Sequence, residues 1–202
     1  MLYYFPNRPL LLSIDNPAID VMDQDPDWSC EVKKNGSRLC LHYDFNTKQK
    51  SFDHFVFYER HKKIMNYTPS KEVLDELKEL NLPTGTHIDA ELLDKKTKHI
   101  KNWIYMYDIY QYDGKLIMDD LESRRSRLHD IFKGRTFEHL EIAKVYPTGF
   151  RDLYNKVILN EEDEGIVMKN CKGKIEWNTK TSPDVYWQIK ARRPQAGGNY
   201  KF

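Results

Sequence analysis

Residues 31–38 read EVKKNGSR, and this stretch decides the fold because it joins two predicted strands. β-Branched and aromatic residues favour one strand over residues 28–32 and another over residues 38–43. Asn35-Gly36 between them is a strong turn pair, because both residue types tolerate a positive φ. The sequence therefore predicts a β-hairpin with Lys33 at the end of its first strand.

Two interpretations of this hairpin stay open on these residues alone. Lys33 closes a strand, so its amine can project from a rigid edge, and the guanidinium of Arg38 can face the same pocket. The other interpretation is an ordinary hairpin with charged tips. A choice between them depends on what other segments bring to the same place.

A second segment, residues 87–92, reads HIDAEL. Asp89 and Glu91 alternate along a strand and therefore share one face. Two carboxylates on one face are unfavourable unless they are solvated, paired with cations or holding a metal ion. An exposed strand face and a cation-binding face are both compatible with this pattern.

Two further segments carry charge at the ends of apolar strands. Residues 163–169 read DEGIVMK, with Glu164 at the strand entrance, after an acidic run that a solvated surface explains. Residues 186–192 read YWQIKAR and place a lysine and an arginine on one strand face. A basic strand near an acidic site suits a polyphosphate substrate, whose charge needs both cations and metal.

Composition excludes several classes of protein. The chain has 202 residues, a formal net charge of +1 and 40% hydrophobic residues, which excludes a disordered chain and shows no strong basic excess. Its longest apolar stretch, residues 9–12, is far shorter than the roughly 18 residues of a membrane span. The N-terminus does not resemble a signal peptide. Three cysteines without a CxxC pair favour a reducing, cytoplasmic location.

The spacing of apolar residues predicts an α+β fold with antiparallel sheets flanked by helices, because strands come in runs rather than in regular βαβ alternation. Residues 1–193 are expected to form one domain and residues 194–202 a flexible tail. Further strands are predicted at residues 55–59, 87–93, 103–109, 142–146, 165–169 and 185–191. Helices are predicted after a Ser70 N-cap, at residues 121–132 with the arginines off the apolar face, and at residues 150–159.

In order along the chain, these segments resemble the motifs of the covalent nucleotidyltransferase superfamily, which comprises ATP-dependent DNA ligases, RNA ligases and mRNA-capping guanylyltransferases. The residues of these motifs are closer to those of the DNA ligases. The resemblance implies a nucleotidyltransferase domain with a nucleotide cleft between its sheets. The matching segments are residues 33–38 (K-x-D-G-x-R), Arg60 (a second basic element), residues 89–91 (D-G-E), residues 105–114 (F-D followed by D-G), residues 121–128 (L-x-x-R-R), residues 164–169 (E-G-I-V-x-K) and Lys190 (K-x-K).

The resemblance implies that Lys33 is the nucleophile. Its amine attacks the α-phosphorus of ATP, expels pyrophosphate and holds AMP as a phosphoramide, while Lys190 contacts the α-phosphate. An unperturbed lysine amine, with a pKa of about 10.4, is protonated at neutral pH and cannot attack. Cationic neighbours, a bound metal and partial burial all favour the neutral amine.

The resemblance also assigns residues to nucleotide and metal binding. The nucleotide-binding residues are Glu31 for the adenine amino group, Arg38 and Glu91 for the ribose, Tyr107 for stacking on adenine, Arg60 for a phosphate, Lys190 for the α-phosphate, and Lys169 and Arg192. The implied ligands of Mg²⁺ or Mn²⁺ are Glu164 and Glu91.

Four departures from the family pattern affect the expectations. Ala90 replaces a glycine and Asn35 replaces an aspartate. Either Gln188 stands at the first lysine of K-x-K, which weakens the cationic cluster, or residues 190–192 (KAR) are the shifted equivalent of that motif. Only 12 residues follow Lys190, too few for the OB-fold domain that usually follows. The expectation is a monomeric domain without an OB-fold, with no membrane partner, which binds nucleic acid alone or with a separate clamp protein. A minimal architecture of this kind favours a phage or viral origin.

Three functions are compatible with the sequence. The first is an ATP-dependent polynucleotide ligase that seals 5′-phosphate and 3′-hydroxyl ends, most simply of DNA and alternatively of RNA. The second is an mRNA guanylyltransferase, which would take GTP. The third is a module that binds nucleotide or nucleic-acid ends without turnover, for which Gln188 and the missing clamp are the motivation.

Overall fold

The computed structural model describes residues 3–193, and the predicted tail at residues 194–202 lies outside the described residues. The division into a domain and a tail therefore stays a prediction. The helices are α1 (Ala18–Gln24), α2 (Lys71–Glu79), α3 (Leu121–Phe132) and α4 (Phe150–Val157). The strands are β1 (Arg8–Leu11), β2 (Trp28–Lys34), β3 (Ser37–Tyr43), β4 (Phe55–Glu59), β5 (Thr86–Leu93), β6 (Trp103–Tyr112), β7 (Lys115–Leu116), β8 (Leu140–Ile142), β9 (Val145–Tyr146), β10 (Asp163–Asn170) and β11 (Asp184–Arg192).

These strands form two sheets. Sheet A has the order β1-β11-β10-β2-β9, and sheet B has the order β4-β3-β5-β6-β7 with β8 beside β6. Neighbouring strands run antiparallel, except that β1 is parallel to β11 and β8 is parallel to β6. The predicted α+β class with mainly antiparallel sheets is confirmed.

Two helices cover the outer face of each sheet. α1 and α4 pack on sheet A, where Ile19, Phe150 and Ile166 are fully buried. α2 and α3 pack on sheet B around Val73 and Leu128, which are equally buried. Because side chains alternate along a strand, the residues between these core positions point to the opposite, inner face of each sheet. The polar residues of the predicted motifs occupy those inner faces.

Hydrogen bonds at the first turns show why two of the helices begin where they do. The Ser70 hydroxyl accepts a hydrogen bond from the backbone N–H of Val73 at 3.4 Å, which confirms the predicted N-cap of α2. The carboxylate of Asp23, in α1, accepts hydrogen bonds from the N–H groups of Gly149 and Phe150 at 2.7 and 3.2 Å and so caps α4. None of the four helices within residues 3–193 is long and apolar enough to cross a membrane.

The prediction of a β-hairpin at Asn35-Gly36 is wrong. β2 pairs with β10 and β9 in sheet A, whereas β3 pairs with β4 and β5 in sheet B, so the chain crosses between the sheets at this point. Neither residue has a positive φ. The backbone N–H of Asn35 donates to the carbonyl oxygen of Glu162 at 2.9 Å, which ties the crossover to the start of β10.

Two other parts of the fold differ from the sequence prediction. Residues 142–146 do not form one strand, because β8 joins sheet B and β9 joins sheet A. β1 and α1 are not predicted at all, since four and seven residues are too few to show a clear period.

Arg124 is the largest departure within a correctly predicted helix. The sequence places it off the apolar face of α3, yet its side chain is fully buried. Its guanidinium donates to both carboxylate oxygens of Asp108 on β6, at 2.7 and 3.0 Å, and to the carbonyl oxygens of Asp119 and Gly173 at 2.8 and 3.0 Å. The ring of Trp187 on β11 lies 5.3 Å from it. One buried, fully paired cation therefore contacts α3, sheet B and sheet A.

Breaking this pair should destabilise the fold. Asp108→Asn leaves a buried guanidinium without its counter-charge, so we expect the free energy of unfolding to fall by about 3–5 kcal/mol. Arg127→Met on the same helix is the matched control, because Arg127 is exposed beside Tyr112 and its loss should change stability by less than about 0.5 kcal/mol. Urea denaturation measures both, and equal losses would contradict a structural role specific to Arg124.

Candidate active site

A cleft of about 600 Å³ lies between the inner faces of sheets A and B. Its size falls within the range of ordinary small-ligand sites, which is about 300–1,000 Å³. All ten residues assigned from the sequence line this one cleft: Glu31, Lys33, Arg38, Arg60, Glu91, Tyr107, Glu164, Lys169, Lys190 and Arg192. These residues come from seven strands or strand ends and are separated by up to 161 positions in the sequence. They nevertheless meet in one cleft, as the resemblance requires.

Lys33 and Glu164 form an ion pair in the cleft. The Lys33 Nζ atom lies 2.5 Å from the Glu164 Oε2 atom, and each side chain is 22% exposed. Glu164 reaches this position because β10 has a bulge between Asp163 and Gly165, and a bulge re-aims a side chain. Gly165 is required there, since it has φ +149° and a Cβ would lie 2.1 Å from the carbonyl oxygen of Ala191.

The crossover after Lys33 is packed tightly against sheet B. A Cβ on Gly36 would lie 2.6 Å from Glu91 Cγ and 2.6 Å from the carbonyl oxygen of Leu92. Glycine is therefore needed for a close approach rather than for the positive φ expected from the sequence. Lys96 Nζ also donates to the Gly36 carbonyl oxygen, so the loop after β5 holds the crossover from the other side.

Glu31 does not present a free carboxylate to the cleft. Its two oxygen atoms each lie 2.5 Å from a cation, Oε1 from Arg125 and Oε2 from Lys169, and the residue is only 3% exposed. Arg125 also donates to the Ser29 hydroxyl at 2.9 Å. The role expected for Glu31, accepting a hydrogen bond from adenine, has to compete with both cations. Sequence reasoning missed Arg125 as a site residue, although it lies in the predicted L-x-x-R-R segment.

Tyr107 is held at the inner face of β6 by contacts on several sides. The Lys169 Nζ atom lies 4.9 Å and the Arg38 guanidinium 5.5 Å from the centroid of its ring. Its hydroxyl donates to the carbonyl oxygen of Ala90 at 3.1 Å. Ala90 itself is fully buried in the sheet B core, so its methyl group points away from the cleft and the departure from glycine is harmless there.

Arg38 is fixed by a buried carboxylate that the sequence placed on the same strand face as Glu91. Its guanidinium binds both oxygens of Asp89, with 2.9 Å between Nε and Oδ1. Asp89 is 1% exposed. Burial raises the pKa of Asp89, and Arg38 opposes that shift. Asp89 therefore orients Arg38 and is a second site residue that the assigned set omitted.

Glu91 and Glu164 are close enough to sense each other's charge. Burial raises the pKa of Glu91. The positive charges of Lys33, Arg38 and Lys96 oppose this shift, and the negative charge of Glu164 adds to it. Within residues 3–193 no group of three or more His, Cys, Asp or Glu side chains could hold a metal ion alone. The two carboxylates of Glu91 and Glu164 in one cleft nevertheless fit Mg²⁺, which is commonly bound by one or two carboxylates together with substrate phosphates.

The basic side of the cleft comes mainly from β11. Lys190 donates to the carbonyl oxygen of Pro9 at 3.0 Å. Burial, together with the positive charges of Lys33, Arg192 and Arg8, lowers the pKa of Lys190 to about 8. Arg60, after the end of β4, lies at the rim with a nitrogen atom 3.3 Å from the His61 ring. Arg60, Lys190 and Arg192 therefore all line the cleft.

Comparison with known proteins gives matches only at the level of structure. No protein-family model and no curated protein sequence matches the chain. A Lig E DNA ligase matches 92% of this chain and 69% of its own, with a TM-score of 0.57 and 12% identity. The ligase domain of M. tuberculosis LigD matches 93% of this chain and 60% of its own, with a TM-score of 0.56 and 13% identity. An archaeal ATP-dependent RNA ligase matches 93% and 48%, with a TM-score of 0.54 and 14% identity.

These similarities show the fold of the chain. It is that of the nucleotidyltransferase domains of ATP-dependent DNA and RNA ligases, as the motifs indicated. The chain spans between about half and just over two thirds of the length of these structures. Identities of 12–14% do not carry an activity or a substrate from one protein to another.

Proposed function

We propose that the chain is an ATP-dependent polynucleotide ligase that forms a covalent lysyl-AMP intermediate on Lys33 and seals nicked DNA. The observation that carries the proposal is the convergence of ten assigned residues, Lys33 among them, on one cleft. Similar folds in both DNA and RNA ligases support a ligase of this kind. The motif residues resemble those of DNA ligases more closely, which favours DNA as the substrate.

The first step is transfer of AMP from ATP to the protein. The lone pair of Lys33 Nζ forms a bond to the α-phosphorus, the bond from phosphorus to the bridging oxygen breaks, and pyrophosphate leaves with that oxygen and its electrons. The nitrogen releases one proton to solvent as the phosphoramide forms. Lys33 is suited to this because it is the last residue but one of strand β2 and lines the cleft. Lys190 and Arg192, on β11 at the far side of β10, supply positive charge where the phosphate charge develops.

The ion pair with Glu164 holds the Lys33 side chain in place before substrate binds. A divalent ion held by Glu164 and Glu91 would neutralise phosphate charge and draw the Glu164 carboxylate away from Lys33. Arg38, oriented by Asp89, and Glu91 are placed to bind the ribose hydroxyls, and the ring of Tyr107 to stack on the base. Arg60 at the rim is placed to meet a phosphate of ATP or of nucleic acid.

The later steps use nucleic acid as substrate. AMP passes from Lys33 to a 5′-phosphate end, and a 3′-hydroxyl then displaces AMP to form the phosphodiester bond. We propose that a separate protein or segment supplies the clamp that an OB-fold domain provides in such enzymes, and that the chain acts as a monomer in a reducing, intracellular compartment.

Incubation with ATP labelled on its α-phosphate should leave the label on the denatured protein. We expect Lys33→Ala to abolish the labelled band and pyrophosphate to reverse it. Lys34→Ala is the matched control, because Lys34 is the next residue but pairs with Asp163, and its variant should keep at least about half of the labelling. A band of equal intensity in Lys33→Ala would refute the assignment of the nucleophile.

The same labelled protein distinguishes the alternatives. Adding nicked DNA or nicked RNA to the labelled protein shows which of the two nucleic acids it seals. A band formed from GTP but not from ATP would indicate a guanylyltransferase. Binding of 5′-phosphorylated ends with no band from either nucleotide would indicate a module without turnover.

ATP binding should weaken as pH rises through the pKa of Lys190. This lysine binds phosphate in its protonated form, and its pKa in the free protein is about 8. Affinity should be constant below about pH 7 and should fall by up to about tenfold per pH unit above about pH 8. Lys190→Arg stays protonated and should remove this dependence. Equilibrium binding of ATP from about pH 6.5 to about pH 9.5 tests this, and an unchanged pH profile in the arginine variant would contradict it.

A further inference from the structure

Gln188 is a largely buried residue in the cleft whose carboxamide has no protein partner. The residue lies on β11, is only 6% exposed and lines the cleft. No hydrogen bond joins its carboxamide to any other residue between positions 3 and 193. The nitrogen and oxygen of the carboxamide are not among the fully buried polar atoms that lack a partner, so they reach the open space of the cleft. A carboxamide on a largely buried residue that has no protein partner and opens into a cleft is placed to bind a ligand.

The register of sheet A places Gln188 far from the nucleophile. Gly165 lies opposite Lys33 on β2, whereas Lys169 lies opposite Gln188 on β11. Four residues along β10 separate these two rows, which is about 13 Å. With the α-phosphate at Lys33, the other end of a nucleotide, its base, lies toward Gln188. Tyr107 borders the same end, since the Lys169 Nζ atom lies 4.9 Å from its ring centroid.

The polar side chains at that end of the cleft differ in the hydrogen-bond donors and acceptors that they offer to a ligand. Both oxygens of Glu31 already pair with cations, and Lys169 offers only donors. The Gln188 carboxamide carries an acceptor and a donor side by side. Adenine presents a matching amino donor and ring-nitrogen acceptor, which a glutamine binds with two hydrogen bonds. A 6-oxopurine presents two acceptors on that edge and would face the Gln188 carbonyl oxygen with another oxygen.

We propose that Gln188 is the residue that selects adenine, in place of the role expected for Glu31. The proposal deepens the proposed function and rests on it, because it takes the phosphate to lie at Lys33. It also changes the meaning of the departure at this position. A lysine, as in K-x-K, would add a donor and a charge, whereas glutamine supplies the acceptor that an amino group needs.

Equilibrium binding of ATP and of inosine triphosphate, a 6-oxopurine nucleotide, tests the proposal. The affinity of the unmodified protein for ATP should be at least about tenfold higher than its affinity for inosine triphosphate. Gln188→Met should weaken ATP binding by about tenfold and change inosine triphosphate binding by less than about twofold. Gln111→Met is the matched control, because Gln111 is another buried glutamine, 8% exposed, that donates to the Gly114 carbonyl oxygen outside the cleft. This control should leave both affinities unchanged.

Two further variants keep the test decisive if the methionine variant does not fold. Gln188→Glu has the same shape and keeps the acceptor, so it should still prefer ATP. Gln188→Lys has only donors, so it should prefer inosine triphosphate. Equal preference in these two variants, or equal weakening of both nucleotides in Gln188→Met, would overturn the proposal. Absence of a covalent adduct on Lys33 with the selectivity change intact would instead overturn the ligase function and leave the role of Gln188 standing.

Discussion

Two adjacent arginines of α3 hold sheets A and B at the separation that makes the cleft. Arg124 pairs with Asp108 of sheet B, and Arg125 pairs with Glu31 of sheet A. Because these charges are almost completely removed from water, losing one partner leaves an uncompensated charge in the interior. The positions of Lys169 and Tyr107 depend on this arrangement, since Lys169 pairs with the same Glu31 carboxylate and lies over the Tyr107 ring.

Two backbone features then bring Lys33, Glu164 and Glu91 together in the cleft. The bulge in β10 turns Glu164 toward Lys33, and the glycine at its base allows β11 to approach. Gly36 allows the chain to pass from sheet A to sheet B in close contact with Glu91. Each feature depends on the absence of a Cβ, so the site is built as much by backbone approach as by charged side chains.

The sequence predicted which residues lie together better than it predicted the architecture around them. Lys33, Glu91, Glu164 and Lys190 could be placed together because short motifs in a fixed order carry that information, even when identity to solved structures is 12–14%. The crossover at Asn35-Gly36 was mistaken for a hairpin, because a local turn signal does not reveal which sheet each strand joins. The burial of Arg124 was missed because helical spacing treats an arginine as a surface residue, and only tertiary structure supplies Asp108.

The central claim is that one lysine of the cleft becomes covalently bonded to AMP. Proteolysis after incubation with ATP and Mg²⁺, followed by tandem mass spectrometry at neutral or alkaline pH to preserve the phosphoramide, locates the modification directly. We predict a mass increase of one AMP on the peptide that contains residues 31–38, with the modified side chain at Lys33. AMP on Lys34, Lys169 or Lys190 instead, or no modified peptide while ATP is bound, would contradict the account.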